Sequence, residues 1–292
     1  MMRTNNLLSW CLAVFALVGT RAALAAPITF TGVVDNDFKA TDVNVQVTPV
    51  LTNSTDVGPS PFMIQNGWVS GWAVNDVRTS YDASSDTLSV GFNTFKNAAG
   101  NHAIIGDADG NGNPGAASPQ MSAAGGIDAP HLGGDKSVAI ELASIDPKNP
   151  SQPGAPVLVA GVPADKTTNG PGLDGFNVAT PKNASLGIGY DFGKTLTANL
   201  GALAFDPSAQ HPGFEFTIKN FSKIPGLNPS QGFWISAYAG SAIDRVVGEA
   251  GLNFTRQKAV AEENIPEPTT ILGWSLVAAG MAFRTLRKRT RS

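Results

Sequence analysis

The residues best suited to chemistry lie in one short run, DADGNGN at positions 107–113. Oxygen-bearing side chains occupy its first, third and fifth positions, and Gly112 at the sixth permits a sharp backbone reversal. Such a turn brings alternate side chains onto one centre. Calcium takes about six to eight oxygen ligands of this kind. We therefore predict a calcium site with Asp107, Asp109 and Asn111 as side-chain ligands and Asn113 as a backbone carbonyl ligand.

The run matches only the first half of an EF-hand calcium loop. An EF-hand needs a bidentate Glu at position twelve, where this chain has Ser118, and no helical pattern flanks the run. A further ligand must come from elsewhere, and Asp128, Asp135 and Glu141 are the candidates, of which we select Asp128. The alternative is a turn rich in Gly, Asn and Asp that binds no ion.

The sequence carries no recognisable catalytic motif in its middle part. It has no nucleophile elbow, phosphate loop or dinucleotide fingerprint. Its three histidines are scattered among predicted loops, without a close pair for zinc. A carboxylate pair for glycoside hydrolysis needs no local spacing, so a glycoside-processing domain stays open as an alternative. The candidates for that pair are Asp37, Glu141, Glu215 and Glu249. We nevertheless expect a protein that is not an enzyme.

Trp68 and Trp72 are candidates for stacking on sugar rings. If residues 68–74 form a strand, both side chains point to one face of it. Exposed rings would favour carbohydrate binding, whereas packing in the core is the alternative.

The secondary-structure elements that position these residues are predicted to be β-strands. Gly, Pro and Asp are plentiful and helical Lys/Glu faces are scarce, which favours short strands joined by turns. We predict an all-β antiparallel sandwich of jelly-roll type with long Gly/Asp-rich loops at residues 97–135 and 164–182. A short helix is expected at residues 242–250. Strands are predicted at residues 28–33, 43–49, 68–74, 76–81, 87–95, 137–145, 157–162, 186–192, 196–205, 214–221 and 232–239.

The N-terminus has the three parts of a secretory signal. Arg3 precedes an apolar run at residues 7–19, and Ala23-Leu24-Ala25 is a small-x-small cleavage site. We therefore predict a signal peptide over residues 1–25 that is removed by signal peptidase. The only cysteine, Cys11, would leave with it, so the mature chain could form no disulfide.

The C-terminus reads Pro266-Glu267-Pro268, then a 15-residue apolar run, then a cluster of Arg and Lys. As a helix the run is about 22 Å long, marginal for a hydrocarbon core of about 30 Å. These three segments, in this order at the end of the chain, resemble the PEP-CTERM sorting signal. The resemblance implies recognition by an exosortase, transient residence in the inner membrane, removal of the tail, and delivery to the cell surface or extracellular matrix.

These signals divide the chain into a signal peptide (1–25), a β-sandwich domain (26–258), a polar stalk (259–268), and a hydrophobic helix with a basic tail (269–292).

Seven of the 20 basic residues lie in the two terminal signals, which leaves 13 against all 23 acidic residues in the middle, a net charge of −10. An acidic surface of this kind disfavours nucleic acid and suits divalent cations.

The middle of the chain also resembles exported bacterial domains that have no assigned activity, and this resemblance implies a calcium-bearing β-sandwich. The residues that carry this resemblance are Tyr81, 86–88, 106–113, 161–162 and 239–241. We therefore expect a non-enzymatic surface or matrix protein of the exopolysaccharide or biofilm layer, with exopolysaccharide as a possible partner. The alternative is a carbohydrate-binding or glycoside-processing domain at the cell surface.

Overall fold

The structure, a computed structural model, describes residues 27–51, 60–126, 128, 132, 136–163, 175–182, 192–241 and 250–258. The chain divides into two units, one of residues 25–260 and the other of residues 1–24 together with 261–292. All described residues belong to the first unit, and no helix among them is long and apolar enough to span a membrane. The predicted signal peptide, the stalk and the sorting helix lie outside the described residues.

The described part of the chain is built mainly of β-strands. They are β1 (Val45–Pro49), β2 (Val74–Asp82), β3 (Thr87–Thr94), β4 (Lys136–Ile145), β5 (Pro153–Val162), β6 (Asn177–Pro181), β7 (Phe192–Thr195), β8 (Leu200–Ala204), β9 (Phe214–Lys219), β10 (Phe233–Ser241) and β11 (Ala250–Gln257). The α-helices described are α1 (Val34–Asp37), α2 (Pro61–Asn66) and α3 (Pro119–Ala123).

The strands form two sheets. The first sheet has the order β1-β2-β3-β9-β8, and the second has the order β11-β10-β4-β5-β6-β7. Every ladder described is antiparallel. The prediction of an all-β antiparallel fold with two packed sheets is therefore confirmed.

Alternation along the strands explains why the two sheets pack face to face. On β3, Leu88, Val90 and Phe92 are buried in the core cluster, whereas Ser89 and Asn93 alternate with them on the other face. The same core cluster contains side chains of both sheets. Burying a side chain such as Val or Phe contributes about 1.5–3 kcal/mol, so this shared core is the main stabilising term.

Several strands lie where the sequence predicted them. The hairpin of β2 and β3 is confirmed, and its turn is fixed by Asp86 (φ 51), which accepts a hydrogen bond from the Tyr81 hydroxyl at 2.9 Å. Strands β4, β9 and β10 also match their predicted ranges within a few residues. Strong β-branched and aromatic alternation made these segments recognisable.

Other local predictions are wrong. Residues 28–33 form no strand, because Gly32 turns the chain at φ 81 and the next residues form α1. Residues 68–73 form a turn before β2 instead of a strand. Strand β6 lies in the predicted loop, and β11 was not predicted at all. Both strands contain weak β-formers, and pairing with a neighbouring strand stabilises them instead. Most of the predicted helix at 242–250 lies outside the described residues, and Ala250 begins β11.

Candidate cation site

The loop that carries the predicted ligands is held against the turn that precedes β2. The backbone N–H of Gly71 donates to the Asp107 carbonyl at 2.7 Å. A Cβ on Gly71 would lie 1.7 Å from the Ile104 carbonyl oxygen, and one on Gly110 would lie 2.1 Å from the Val69 carbonyl oxygen. Only glycine allows backbones to approach this closely, so the two glycines fix where the acidic side chains lie.

Three carboxylates meet in this loop. Asp107 and Asp109 are each 1% exposed, and Asp128 is 3% exposed. One oxygen from each of the three lies within 4.8 Å of the others. Three buried carboxylates at this spacing repel one another strongly unless protons or a cation neutralise them.

Backbone N–H groups orient two of the carboxylates. Gly110 and Gly112 donate to Oδ1 and Oδ2 of Asp107 at 2.8 and 2.7 Å. Ser118, which begins the turn into α3, donates its N–H to Oδ2 of Asp109 at 2.7 Å. A carboxylate held by N–H donors on its outer side keeps lone pairs directed inward, which is the arrangement that a metal site requires.

Asp128 is different, because only one of its oxygens has a partner. Oδ1 accepts a hydrogen bond from the Ala108 N–H at 2.8 Å. Oδ2 is buried and accepts no hydrogen bond of normal geometry, although Gly115 and Ala116 present N–H groups near this carboxylate. A buried oxygen without a partner is destabilising by about 1–3 kcal/mol, and more if it is charged. This oxygen therefore keeps lone pairs that a cation between the three carboxylates could bind.

The pKa values follow from burial and mutual repulsion. Burial raises the pKa of Asp107 to about 7, and the charges of Asp128 and Asp109 add to the effect, whereas N–H donors oppose it. Burial also raises the pKa of Asp128 to about 6, with a further contribution from Asp109. Protons thus partly neutralise this site near neutral pH. A divalent cation would displace them and neutralise the carboxylates instead.

Asn111 and Asn113, the two other predicted ligands, lie on the outer part of the loop. The Asn111 amide oxygen accepts from the Asn113 N–H at 2.7 Å, and its Nδ2 donates to the Ala116 carbonyl at 2.8 Å. Asn113 is exposed, and its carbonyl accepts from the Ala116 N–H at 3.1 Å. Both oxygens keep a second lone pair, so their role as ligands stays a prediction.

Of the remaining ligand candidates, Glu141 lies on β4 in the second sheet and is not part of the three-carboxylate group. Asp135 lies outside the described residues. The predicted Asp128 is thus the residue that the tertiary structure places beside Asp107 and Asp109. The group contains oxygen ligands only, the set that hard cations such as calcium and magnesium prefer.

The two tryptophans do not form the predicted pair on a strand face. Trp72 is 0% exposed and belongs to the core, so the prediction that it stacks on sugars is wrong. Trp68 is half-buried and packs edge-on against Phe62, with 6.4 Å between ring centroids. The turn that replaces the expected strand directs the two rings differently.

Of the four conceivable catalytic carboxylates, the structure brings Asp37 and Glu215 together. They accept hydrogen bonds from the adjacent N–H groups of Thr31 and Gly32, at 2.6 and 2.8 Å respectively. Glycosidase carboxylates are about 5–10 Å apart around an accessible bond, whereas Glu215 is 0% exposed. This geometry does not favour hydrolysis. Glu141 lies in the other sheet, and Glu249 lies outside the described residues.

A charged network on the outer face of the first sheet was not predicted from the sequence. Arg78, on β2, contacts Asp76 at 2.7 Å, forms a second ion pair with Asp35, and donates to the Phe38 carbonyl at 2.7 Å. His102 joins the network through Asp35 at 2.9 Å, and its side chain is only 12% exposed. Asp76 and Arg78 are two positions apart on β2 and therefore share one face of the strand, which is the feature of the sequence that could have predicted this network.

The sorting motif Pro266-Glu267-Pro268 lies outside the described residues. No protein-family model matches the chain, and neither a curated protein nor a solved structure matches it.

Proposed function

We propose that this chain is an exported, non-enzymatic surface or extracellular-matrix protein whose β-sandwich is stabilised by one calcium ion. Asp107, Asp109 and Asp128 would be its carboxylate ligands, and Asn111 and Asn113 would complete the oxygen set with water. The ion would join the end of the long loop, at Asp128, to its beginning. The calcium ion would have a structural role, because the site offers oxygen ligands and the sequence predicts no nucleophile beside it.

The observation that carries the proposal is the group of three buried carboxylates, with one oxygen from each within 4.8 Å of the others. Carboxylates buried at this spacing repel one another unless protons or a cation neutralise them. Calcium suits the site better than magnesium, since its longer and more variable ligand distances tolerate a loop-built set.

Export is supported by the sequence alone. The apolar N-terminal run with Ala23-Leu24-Ala25 suits signal peptidase, and Pro266-Glu267-Pro268 with the following apolar run suits an exosortase. We infer that the sandwich, including its jelly-roll-like connectivity, lies between these two signals and reaches the cell surface after both are removed. Exopolysaccharide is the partner that this destination favours, and the net charge of −10 disfavours nucleic acid.

The substitution Asp128→Asn tests the calcium proposal. The amide keeps an acceptor for the Ala108 N–H but removes the charge, so calcium affinity should fall at least tenfold. Calorimetric titration of wild type should give a dissociation constant of about 10⁻⁴ to 10⁻³ M, typical of extracellular modules. At 100 times that constant, calcium would add about 2.7 kcal/mol of stability, which chelator would remove.

Asp42→Asn is the matched control, since Asp42 is exposed and far along the chain from the site. It should keep the full calcium response, and magnesium should substitute poorly in wild type. The proposal would be refuted if wild type melted at the same temperature in millimolar calcium and in chelator and gave no binding heat. The site would then be only a turn.

A further inference from the structure

A second buried acidic group lies under the N-terminal segment, residues 27–44, which covers part of the outer face of the first sheet. Val34 and Phe38 of this segment are 2% and 0% exposed. Both pack over Gly91 of β3, where a Cβ would lie 2.9 Å from the Phe38 ring and 3.0 Å from Val34. Phe30 stacks on Phe38 with 6.2 Å between ring centroids. The segment is thus held by a small apolar cluster that is separate from the main core.

Glu215 points from β9 into the same interface. It is 0% exposed, and its neighbours across the ladder are Gly91 on β3 and Ala204 on β8, neither of which carries a charge. Its Oε2 accepts a hydrogen bond from the Gly32 N–H at 2.8 Å. Its Oε1 is buried and accepts no hydrogen bond. As a carboxylate, Glu215 would be a buried charge with one oxygen unsatisfied.

Asp37, at the end of α1, supplies the missing partner if Glu215 carries a proton. The Thr31 and Gly32 N–H groups are adjacent in the chain and donate to Asp37 and Glu215 respectively, so the two carboxyl groups lie side by side. Asp37 already accepts from the Thr31 N–H at 2.6 Å and from the Thr31 hydroxyl, so it acts as the hydrogen-bond acceptor of the pair. Two ionised carboxylates cannot hydrogen-bond, but a protonated Glu215 donates through Oε1. Burial, followed by the Asp37 charge, raises the pKa of Glu215 to about 8.

The other charged groups nearby do not neutralise Glu215. Asp35, on the same segment, is paired with Arg78, Lys96 and His102. His211, between β8 and β9, lies against Gly32, where a Cβ would be 2.6 Å from the imidazole Nδ1. No ion pair between Glu215 and a basic side chain is present in the part of the chain that the structure describes.

We propose that the N-terminal segment is a clasp held shut by one proton, which Glu215 carries and donates to Asp37, and that loss of this proton to solvent releases residues 27–38 from the sheet. The released form solvates both carboxylates. The device is independent of the proposed calcium site, since it involves none of its ligands. The N-terminal segment would thereby open more readily as the pH of its surroundings rises toward about 8.

The direction of the effect follows from proton binding. The closed clasp holds its proton up to about pH 8, whereas a solvated Glu loses it near its ordinary value of about 4.5. Between these values the closed form binds one proton more than the open form. The open population therefore rises about tenfold per pH unit from about pH 5 to about pH 8 and then levels off.

Labelling of an introduced thiol measures this opening. Cys11→Ser in the full chain removes the only cysteine, and Val34→Cys then places one buried thiol under the clasp. The labelling rate of Val34→Cys is divided by that of Val34→Cys/Glu215→Gln at each pH, which cancels the intrinsic pH dependence of the thiol. The Gln amide accepts from Gly32 and donates to Asp37 at every pH. We expect the ratio to rise about tenfold per pH unit between about pH 5 and pH 8.

Two further variants make the test decisive. Asp37→Asn should make the rise smaller, because the Asp37 charge is gone and the new amide can donate to an ionised Glu215, whereas burial of Glu215 still acts. Val178→Cys on β6, where Val178 is also 0% exposed, reports opening of the second sheet. The labelling rate of Val178→Cys divided by that of Val178→Cys/Glu215→Gln should not change with pH. A Val34→Cys ratio that stays flat with pH would overturn the proposal. So would a Val178→Cys ratio that rises equally, since the whole domain would then be opening.

Discussion

At the scale of single residues, this sandwich keeps buried carboxyls at two places. Asp107, Asp109 and Asp128 form one group, and Glu215 is buried beside the half-buried Asp37 at the other. Burial of an ionised carboxylate is strongly unfavourable, so each group must hold protons or a cation. We propose a cation for the first group, which offers three carboxylates, and one proton for the second.

The first group contributes to the pH dependence of the ion-free protein, as Glu215 also does. The pKa of Asp107 is raised to about 7 and that of Asp128 to about 6, from an ordinary value of 3.8. Between about pH 4 and pH 7 the folded state therefore binds more protons than the unfolded state, and stability falls as pH rises. The slope reaches about 1.4 kcal/mol per pH unit for each extra proton. In chelator, we expect a higher melting temperature at pH 5 than at pH 8.

The double variant Asp107→Asn/Asp128→Asn isolates this effect, because it keeps Glu215 and all other carboxyls. Its melting temperature in chelator should change less between the two pH values. Asp35, whose pKa is lowered to about 2, acts with the opposite sign but only below about pH 4. Saturating calcium should reverse the trend in wild type, since the ion binds the deprotonated carboxylates. Equal melting temperatures of wild type at pH 5 and pH 8 in chelator would contradict the assignment.

At the scale of elements, glycine decides how closely the acidic loop approaches the turn before β2. Gly110 and Gly112 both have positive φ, at 70° and 84°. They differ in surroundings, because a Cβ on Gly110 would lie 2.1 Å from the Val69 carbonyl oxygen, whereas one on Gly112 would meet nothing within 4 Å. A side chain at position 112 would therefore cause backbone strain only, whereas one at position 110 would cause backbone strain and a steric clash.

Alanine substitutions exploit this difference. Gly112→Ala should lower the free energy of unfolding by about 1–2 kcal/mol, the strain of a left-handed non-glycine residue. Gly110→Ala should lower it by a further 1–3 kcal/mol or so, because the loop must also move away from the Val69 carbonyl. Denaturant unfolding of both variants measures the difference. Equal losses would mean that the loop is not packed as described.

A polar bridge joins the two sheets where β11 passes β1 and β2. Gln257 is 1% exposed, donates to the Thr48 hydroxyl at 2.9 Å, and accepts from the Thr79 hydroxyl at 3.0 Å. The next residue, Lys258, exchanges two hydrogen bonds with the Gln46 side chain, at 2.6 and 3.2 Å. These contacts close one side of the sandwich directly before the predicted stalk.

Gln257→Leu should destabilise the domain by about 1–3 kcal/mol, because it leaves two buried hydroxyls without this partner although the volume is nearly kept. Arg256→Gln, at the exposed neighbouring position, is the control and should change stability by less than about 0.5 kcal/mol. Chemical denaturation of the two variants is the measurement. If Gln257→Leu were as stable as wild type, the bridge would contribute nothing to closing the sandwich.

At the scale of the whole molecule, the sandwich unit of residues 25–260 carries the excess negative charge, and the two terminal signals carry seven of the 20 basic residues. Processing at both ends would therefore change the net charge from −3 to −10. A strongly acidic mature protein would be soluble and would attract divalent cations.

Intact-mass analysis of protein released from cells tests the processing. The mature form should begin near Ala26 and lack the segment after Pro268. Replacing Pro266, Glu267 and Pro268 together by alanine should leave the tail attached, because the recognition motif is gone. A released wild-type protein whose mass still includes residues 284–292 would contradict the sorting prediction.

The sequence by itself was sufficient for the β class, the central hairpin and the acidic run at residues 107–113. These features are local, since alternation over a few residues defines a strand and a turn of seven residues can gather its own oxygens. Weak strands such as β6 and β11 were missed, because pairing with neighbours and not their composition makes them strands.

Only the tertiary structure decided which distant residues meet. It selected Asp128 over Glu141 as the neighbour of Asp107 and Asp109, and it placed Glu215 against Asp37 across 178 positions of sequence. It also showed that Trp72 is buried, whereas the sequence had predicted it beside Trp68 on a strand face that could stack on sugars. The physical reason is common to all three. Burial and long-range juxtaposition depend on how the sheets pack and where loops cross them, and no local pattern of residue types encodes that arrangement.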